Sequence, residues 1–220
     1  DVLGSRGLGD VYKRQIYNEL VSEEIKNNDP LNLPDGIFFR KKSVSVYNSH
    51  MKEIHRGISG ETEIIACIEK ALFILHNKSI PPLIRISVFH YLFGYIHPFY
   101  DGNGRTNRFI SSYLLSKELE PLISYHLAKT IKKNISKYYK SFDYTNDTDN
   151  RGDLTGFITN FLEIILASIE ALIDSLEDKI ERLHYFEQIL LSNFKDKTDY
   201  GILHLPVSYT HLRAHETLRH

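Results

Sequence analysis

Apolar residues recur at helical spacing along most of the chain. Within residues 61–76, Ile64, Ile68, Leu72 and Leu75 stand three or four positions apart, which places them on one face of an amphipathic helix. The same period predicts helices over residues 16–25, 61–76, 81–95, 105 onwards, 128–142 and 153–183. Helices are therefore expected to make up nearly all of the regular structure.

One stretch departs from this period. Over residues 38–47 (FFRKKSVSVY), Val44 and Val46 alternate with Ser43 and Ser45, which favours a strand or a hairpin. Residues 27–36 are rich in Asn, Asp and Pro and are predicted to form a loop, while residues 51–60 are predicted to be irregular. The fold class expected is mostly α, with one short β element.

Composition adds few constraints. A hydrophobic content of 42%, a charged content of 25% and a net charge of −1 are typical of a soluble globular protein. They give no reason to expect a nucleic-acid or membrane partner, and no apolar run is expected to span a membrane. Cys67 is the single cysteine, which excludes an intrachain disulfide and favours a reducing compartment, so a cytoplasmic location is expected.

The two ends differ in character from the rest. Residues 5–15 (SRGLGDVYKRQ) can be encoded by the reverse complement of codons for residues 207–217 (VSYTHLRAHET), so both resemble a translated sequencing-library adapter. We expect the natural protein to extend beyond this chain on both sides. The predicted division is 1–15 and 206–220 as adapter-like ends, 16–34 as the remnant of an N-terminal helix, 35–183 as the main domain, and 184–205 as the truncated start of an appended segment.

The loop after the 81–95 helix carries a dense set of polar groups, HPFYDGNGRTNR over residues 97–108. Gly102 and Gly104 permit positive φ, so backbone N–H groups can converge just before a helix start, where the helix dipole favours an anion. Arg105 and Arg108 lie three positions apart on one helix face, and their planar guanidinium groups suit phosphate oxygens. Together these groups predict a polyphosphate site.

Two more side chains in this loop point to catalysis. Asp101 is a hard oxygen ligand of the kind that holds magnesium beside phosphates. His97 has an ordinary pKa of about 6.5, so it can accept a proton from a hydroxyl group near neutral pH. The other histidines considered, His55, His76 and His90, lack metal-ligand spacing and are interpreted as surface or satisfied core residues. The loop therefore predicts phosphoryl or nucleotidyl transfer.

The run HPFYDGNGRTNR resembles the signature of the Fic family at every specified position: His-Pro-Phe-x-acid-Gly-Asn-Gly-Arg-x-x-Arg. The resemblance is expected to cover residues 35–183 as the catalytic domain. It implies a Fic-type helical bundle with a short β-hairpin flap. It also implies transfer of AMP from ATP to a Ser, Thr or Tyr hydroxyl of a target protein, with magnesium (Mg2+) as cofactor and pyrophosphate as product.

The resemblance also assigns roles by position. His97 would be the base that activates the target hydroxyl, Asp101 would hold the magnesium, and Pro98 and Phe99 would support the loop. The nucleotide and phosphate groups would be bound by Gly102, Asn103, Gly104, Arg105 and Arg108. The flap would clamp the target's backbone by strand pairing, and its residues would be Phe39, Arg40, Ser43, Val44 and Val46.

Alternatives stay open at this point. The same site would suit removal of AMP from a modified protein, Doc-like phosphotransfer, or a non-enzymatic nucleotide-binding module. The Doc branch usually has lysine where Gly104 stands, which disfavours phosphotransfer. The family's inhibitory motif, Ser/Thr-x-x-x-Glu-Gly/Asn, has no match within residues 16–205. The target protein is not indicated, and both self-modification and a homodimer through the 153–183 helix are considered.

Overall fold

The structure, a computed structural model, describes residues 15–47, 51 and 53–193. The chain divides into two compact units, Asp1–Leu172 and Ile173–His220. The two adapter-like ends, except for Gln15, lie outside the described residues, and so does the part of the expected appended segment after residue 193.

The described residues form a mostly α-helical fold with one β-hairpin, which confirms the predicted fold class. The helices are α1 (Glu23–Asn28), α2 (Glu61–Leu75), α3 (Pro82–Ile96), α4 (Asn103–Glu118), α5 (Pro121–Lys133), α6 (Ile135–Asn146) and α7 (Thr155–Asn193). A π-helical segment, Asn18–Ser22, precedes α1, and short 3-10 helices span Pro30–Asn32 and Thr148–Asn150. The strands are β1 (Ser45–Tyr47) and β2 (Glu53–Arg56).

Local chemistry sets the ends of several helices. Pro82 and Pro121 stand in the first turns of α3 and α5, where a missing N–H costs nothing and the fixed φ suits a helix. Gly60, with φ of 87°, takes the N-cap position of α2. At Asn134 the chain leaves helical geometry, so the helix predicted over residues 128–142 is two helices, α5 and α6.

The hairpin is shorter and later than predicted. Val46 pairs with His55 in an antiparallel register that shifts between Val46 and Tyr47. Residues 51–60, predicted to be irregular, supply β2, and residues 38–44 are not in a strand. The reason is a long-range contact: the Glu61 carboxylate accepts hydrogen bonds from the N–H groups of residues 38 and 39 at 2.6 and 2.9 Å, so these groups do not enter a ladder.

The predicted flap is therefore only partly correct. Phe39 and Arg40 are both 0% exposed, so neither side chain is available to a target protein. Ser43 and Val44 precede β1, and only Val46 of the five lies within it. The sequence pattern does not distinguish the buried flap residues from the exposed ones, because their burial depends on contacts with residues far along the chain.

The core of the first unit is rich in aromatic rings. Its fully buried phenylalanines are Phe39, Phe89, Phe93, Phe99, Phe157 and Phe161. In α4, Ile110 and Leu115 are buried, whereas Phe109 and Tyr113 are 45% and 40% exposed. The N-terminal segment also enters this core, through the buried side chains of Tyr17, Val21 and Ile25.

Helix α7 is longer and more apolar than expected. By length and composition alone, Thr155–Ile189 meets the requirements of a membrane-spanning helix, contrary to the expectation that no run reaches this length. Its first part buries Phe157, Phe161 and Ile165 in the core of the first unit, which is the common use of such residues in a core helix. The homodimer considered for this helix stays a prediction.

Candidate active site

The loop of residues 97–108 joins the end of α3 to the start of α4. His97 follows α3 in a left-handed conformation, with φ of 53° and ψ of 60°, and its N–H donates to the carbonyl of Phe93 at 3.0 Å. Gly102, with φ of 81°, takes the N-cap position of α4. A helix C-terminus and a helix N-terminus therefore face the same short turn.

Phe99 anchors this turn in the core. Its ring is 0% exposed and stacks on Tyr17 with centroids 3.9 Å apart, and Phe39 lies at 5.6 Å. Gly102 allows the close approach of the N-terminal segment, because a Cβ there would lie 3.1 Å from Val21 and 3.2 Å from Tyr17. The loop is thus held from both sides by aromatic packing.

Asn103 closes the loop with its side chain. Its Oδ1 accepts from the N–H of Phe99 at 2.9 Å, and its Nδ2 donates to the carbonyl of Phe99 at 2.8 Å. The residue is 4% exposed, and both ends of its amide are used inside the protein. The part of Asn103 left for binding an anion is therefore its backbone N–H.

The first turn of α4 presents a row of backbone donors. The N–H of Thr106 makes the first i→i−4 bond, to the carbonyl of Gly102 at 3.0 Å, so the N–H groups of Asn103, Gly104 and Arg105 come before it and have no intrahelical acceptor. With the helix dipole, these groups give the start of α4 a chemistry that favours an anion. The expectation of positive φ at Gly104 is wrong, because Gly104 is helical.

The two arginines of the loop have different surroundings. Arg105 pairs with Glu24 of α1 and, at 3.3 Å, with Asp101. Arg108 takes part in none of the ion pairs formed among the described residues and lies beside Gly104, where an added Cβ would stand 3.0 Å from its Nη1. Arg108 is therefore the arginine whose charge is available to a phosphate.

Asp101 lies at the surface of the loop. Its Oδ1 accepts from the N–H of Gly102 at 2.5 Å, and its side chain is 54% exposed. Magnesium takes most of its ligands from water and phosphate oxygens and needs only one or two carboxylates. A single exposed carboxylate beside the backbone donors of α4 fits that preference.

The imidazole of His97 is oriented by one backbone contact. Its Nδ1 lies 3.2 Å from the carbonyl of Gly94, and because a carbonyl can only accept, Nδ1 carries the proton and Nε2 keeps its lone pair. Burial lowers the pKa of His97 to about 4; the Gly94 carbonyl and Asp101 act to raise this pKa, while His55 and Arg40 act to lower it. The ring is neutral at pH 7 and can accept a proton.

A cavity of about 530 Å³ opens beside these groups, within the size range of small-molecule sites. It is bounded by the hairpin, the end of α3, the first turns of α4 and one face of α6. The lining residues relevant to a ligand are Val46, His55, His97, Gly104, Arg108, Tyr139, Phe142, Asp143 and Asn146. Aromatic surface and the backbone and guanidinium donors of α4 thus share one cavity.

Sequence reasoning missed the contribution of α6. The aromatic residues Tyr138, Tyr139 and Phe142 stand at i, i+1 and i+4, a spacing that could have indicated an aromatic helix face. Behind the cavity, His90 is 0% exposed, with Nδ1 at 2.6 Å from Ser111 Oγ and Nε2 at 2.8 Å from the Tyr138 hydroxyl. This confirms His90 as a satisfied core residue, and it ties α6 to α3 and α4.

Comparison with known proteins agrees with the fold. Residues 12–115 match the model of the Fic/DOC family. The fold resembles that of a Fic family protein from Desulfovibrio desulfuricans G20, known from a crystal structure at 2.70 Å resolution, with a TM-score of 0.59 and 22% sequence identity. The match covers 74% of this chain and 47% of that protein, so this chain spans about half the length of that relative.

Proposed function

We propose that this chain, a member of the Fic/DOC family, transfers AMP from ATP to a Ser, Thr or Tyr hydroxyl of a target protein and releases pyrophosphate. The observation that carries the proposal is that one cavity is lined by a neutral histidine, His97, by the first turn of α4 and by Arg108. A base and a polyphosphate site must meet in this way for an in-line transfer.

The chemistry at His97 follows from its orientation. Nε2 takes the proton from the target hydroxyl as the hydroxyl oxygen attacks the α-phosphorus of ATP. The bond between the α-phosphorus and the bridging oxygen to the β-phosphate breaks, and pyrophosphate leaves with that electron pair. A base of this kind typically contributes about 10²–10⁴-fold to the rate.

The phosphates would be held by the start of α4. The backbone N–H groups of Asn103, Gly104 and Arg105 and the guanidinium of Arg108 are the donors for the β- and γ-phosphates. Magnesium, if held by Asp101, would neutralise charge on the phosphate oxygens. The nucleoside would lie against the rings of α6, of which Tyr139 is 51% exposed.

Label transfer from ATP tests the reaction. The purified protein with magnesium, alone and with a desalted cell extract as a source of targets, should incorporate label from α-labelled ATP and not from γ-labelled ATP. His97→Ala should lose this label, whereas His76→Ala, a change at an exposed histidine of a different segment, should keep it. Label from γ-labelled ATP alone would instead indicate phosphotransfer, and release of AMP from a modified protein would indicate removal.

Arg108→Ala is expected to weaken ATP binding more than Arg105→Ala. A charged hydrogen bond contributes about 1.5–3 kcal/mol, so the KM or Kd for ATP should rise roughly 10–100-fold in Arg108→Ala. Arg105→Ala should have a smaller effect, because Arg105 is already paired with Glu24 and Asp101. Calorimetric titration of both variants with ATP measures the difference, and an equal or reversed order contradicts the assignment.

Glu24→Gln is expected to tighten ATP binding modestly. The substitution removes the negative charge that pairs with Arg105 and so raises the positive potential at the start of α4. Exposed pairs contribute up to about 1 kcal/mol, so the gain should not exceed roughly fivefold. Glu23→Gln, at the neighbouring residue, is the control, and equal affinities for the two variants would show that the Glu24 pair does not influence the site.

A further inference from the structure

Arg40 is a fully buried cation next to the proposed base. Its side chain is 0% exposed, which is rare for arginine unless the charge is paired. None of the ion pairs found among the described residues includes Arg40. The Asp35 carboxylate stabilises the charge at longer range, and the groups that accept hydrogen bonds from the guanidinium are not carboxylates.

Those groups are backbone carbonyls around His97. Nε of Arg40 donates to the His97 carbonyl at 2.9 Å, and Nη2 donates to the Ile58 carbonyl at 2.7 Å and approaches that of Ile96 at 3.4 Å. Nη1 donates to the carbonyl of Lys42. The backbone N–H of Arg40 donates to the Pro98 carbonyl at 3.2 Å, so this residue grips the start of the loop through both its side chain and its backbone.

The position of the guanidinium explains why a cation without a direct ion pair is stable there. Ile96 is the last residue of α3, and the final carbonyls of a helix have no intrahelical donor and carry the negative end of the dipole. His97 stands just beyond, in a left-handed conformation that is unfavourable for a residue with a Cβ and persists only where neighbours enforce it. The Arg40 guanidinium supplies such an enforcing contact directly at the His97 carbonyl.

Gly57 leaves the room that this contact needs. A Cβ on Gly57 would lie 2.5 Å from Nη2 of Arg40 and 2.9 Å from Cβ of His97. An alanine at this position would therefore push on both partners while leaving the charge of Arg40 in place.

We propose that Arg40 is a positioning residue for the His97 base: it holds the backbone of His97 in the left-handed conformation, so that Nδ1 stays on the Gly94 carbonyl and Nε2 stays open to the substrate. The inference rests on the proposed role of His97. Arg40 does not line the cavity, so it acts through His97 and not on the nucleotide.

The electrostatics agree with this geometry. The charged and titratable groups that influence His97 are His55, Arg40 and Asp101. Burial is the largest cause of the lowered pKa of His97, and the Arg40 cation lowers it further. The same residue that fixes the backbone thus also favours the neutral ring that a base requires.

Three variants test the proposal. Their turnover is divided by the amount of ATP that each preparation binds, so that unfolded protein does not lower the measured value. Arg40→Met should keep the Kd for ATP within about threefold and lose roughly 10²-fold in turnover, the effect that a displacement of about 1 Å can have. Arg40→Lys should fall between Arg40→Met and the wild type. Gly57→Ala should also lose turnover although the charge of Arg40 is retained. Gly156→Ala is the control and should keep its turnover, because a Cβ there would meet Tyr144 at an ordinary 3.6 Å.

A readout that does not depend on activity separates this inference from the proposed function. The ¹⁵N shifts of the His97 ring, assigned with His97→Gln, should show the Nδ1–H tautomer in the wild type and a loss of that preference in Arg40→Lys and Gly57→Ala. A changed tautomer in a protein that transfers nothing would refute the proposed function and support the positioning role. An unchanged tautomer would overturn the positioning role, and so would unchanged turnover in an Arg40→Met variant that still binds ATP. If Arg40→Met does not fold, the turnover and tautomer of Gly57→Ala provide the same test.

Discussion

His97→Ala is expected to lower the rate of AMP transfer by about 10²–10⁴-fold, because it removes the only proposed acceptor for the hydroxyl proton. The Kd for ATP should change little, since the phosphates are assigned to the first turn of α4 and to Arg108. Single-turnover labelling at saturating ATP measures the rate, and titration with ATP measures the affinity.

The pH dependence of the wild type gives a second view of the same residue. Burial lowers the pKa of His97 to about 4. The base must be unprotonated to act, so the transfer rate should fall with decreasing pH only near that pKa. The His97 ring should therefore remain able to accept a proton at a pH well below the ordinary histidine pKa of about 6.5.

His55 provides the control for these measurements. Its ring centroid lies 6.5 Å from that of His97, and its Nε2 is 2.6 Å from the Tyr95 carbonyl. His55→Ala should keep most of the transfer rate. If His55→Ala abolished transfer and a folded His97→Ala retained it, the assignment of the base would be wrong.

Phe99→Ala is expected to lower the free energy of unfolding by about 3–5 kcal/mol, the usual cost of removing a buried phenylalanine ring. Its ring fills the space between Tyr17, Phe39 and Phe93, so truncation leaves a cavity under the catalytic loop. Because natural domains are stable by only about 5–15 kcal/mol, this is a large share of the total. Urea denaturation followed by circular dichroism measures the change.

Phe73→Ala is the matched control for this stability effect. Phe73 is 77% exposed on α2, so its truncation should change the free energy of unfolding by less than about 0.5 kcal/mol. Equal costs for the two variants would contradict the role of Phe99 as the anchor of the loop.

The helices and the loop were predictable because their signals are local. The 3.6-residue period of apolar positions is visible within single segments, and residues 97–108 carry base, carboxylate, glycines and arginines in one short run. The anchoring of Phe99 also followed from the resemblance that this run carries. The structure adds how Asn103 closes the loop, a contact between residues only four apart but dependent on the turn geometry.

The features that sequence reasoning missed depend on distant partners. Phe39 and Arg40 belong to the core because Glu61 and His97, 22 and 57 positions away, fix their backbone and side chain. The pairing of Arg105 with Glu24 joins residues 81 positions apart. The hydrophobic pattern within a single segment does not indicate such contacts. Taken alone, the segment around Phe39 and Arg40 is compatible with an exposed strand, and the segment around Arg105 with a solvent-exposed helix.

The orientation of the nucleotide tests the central claim most directly. A crystal structure with magnesium and an ATP analogue that cannot be cleaved between the α- and β-phosphates would show it without knowledge of the target. The α-phosphate is expected to lie nearest to Nε2 of His97, with the β- and γ-phosphates on the N–H groups of Asn103, Gly104 and Arg105 and on Arg108. A γ-phosphate nearest to His97, or a nucleotide bound outside the cavity, would contradict it.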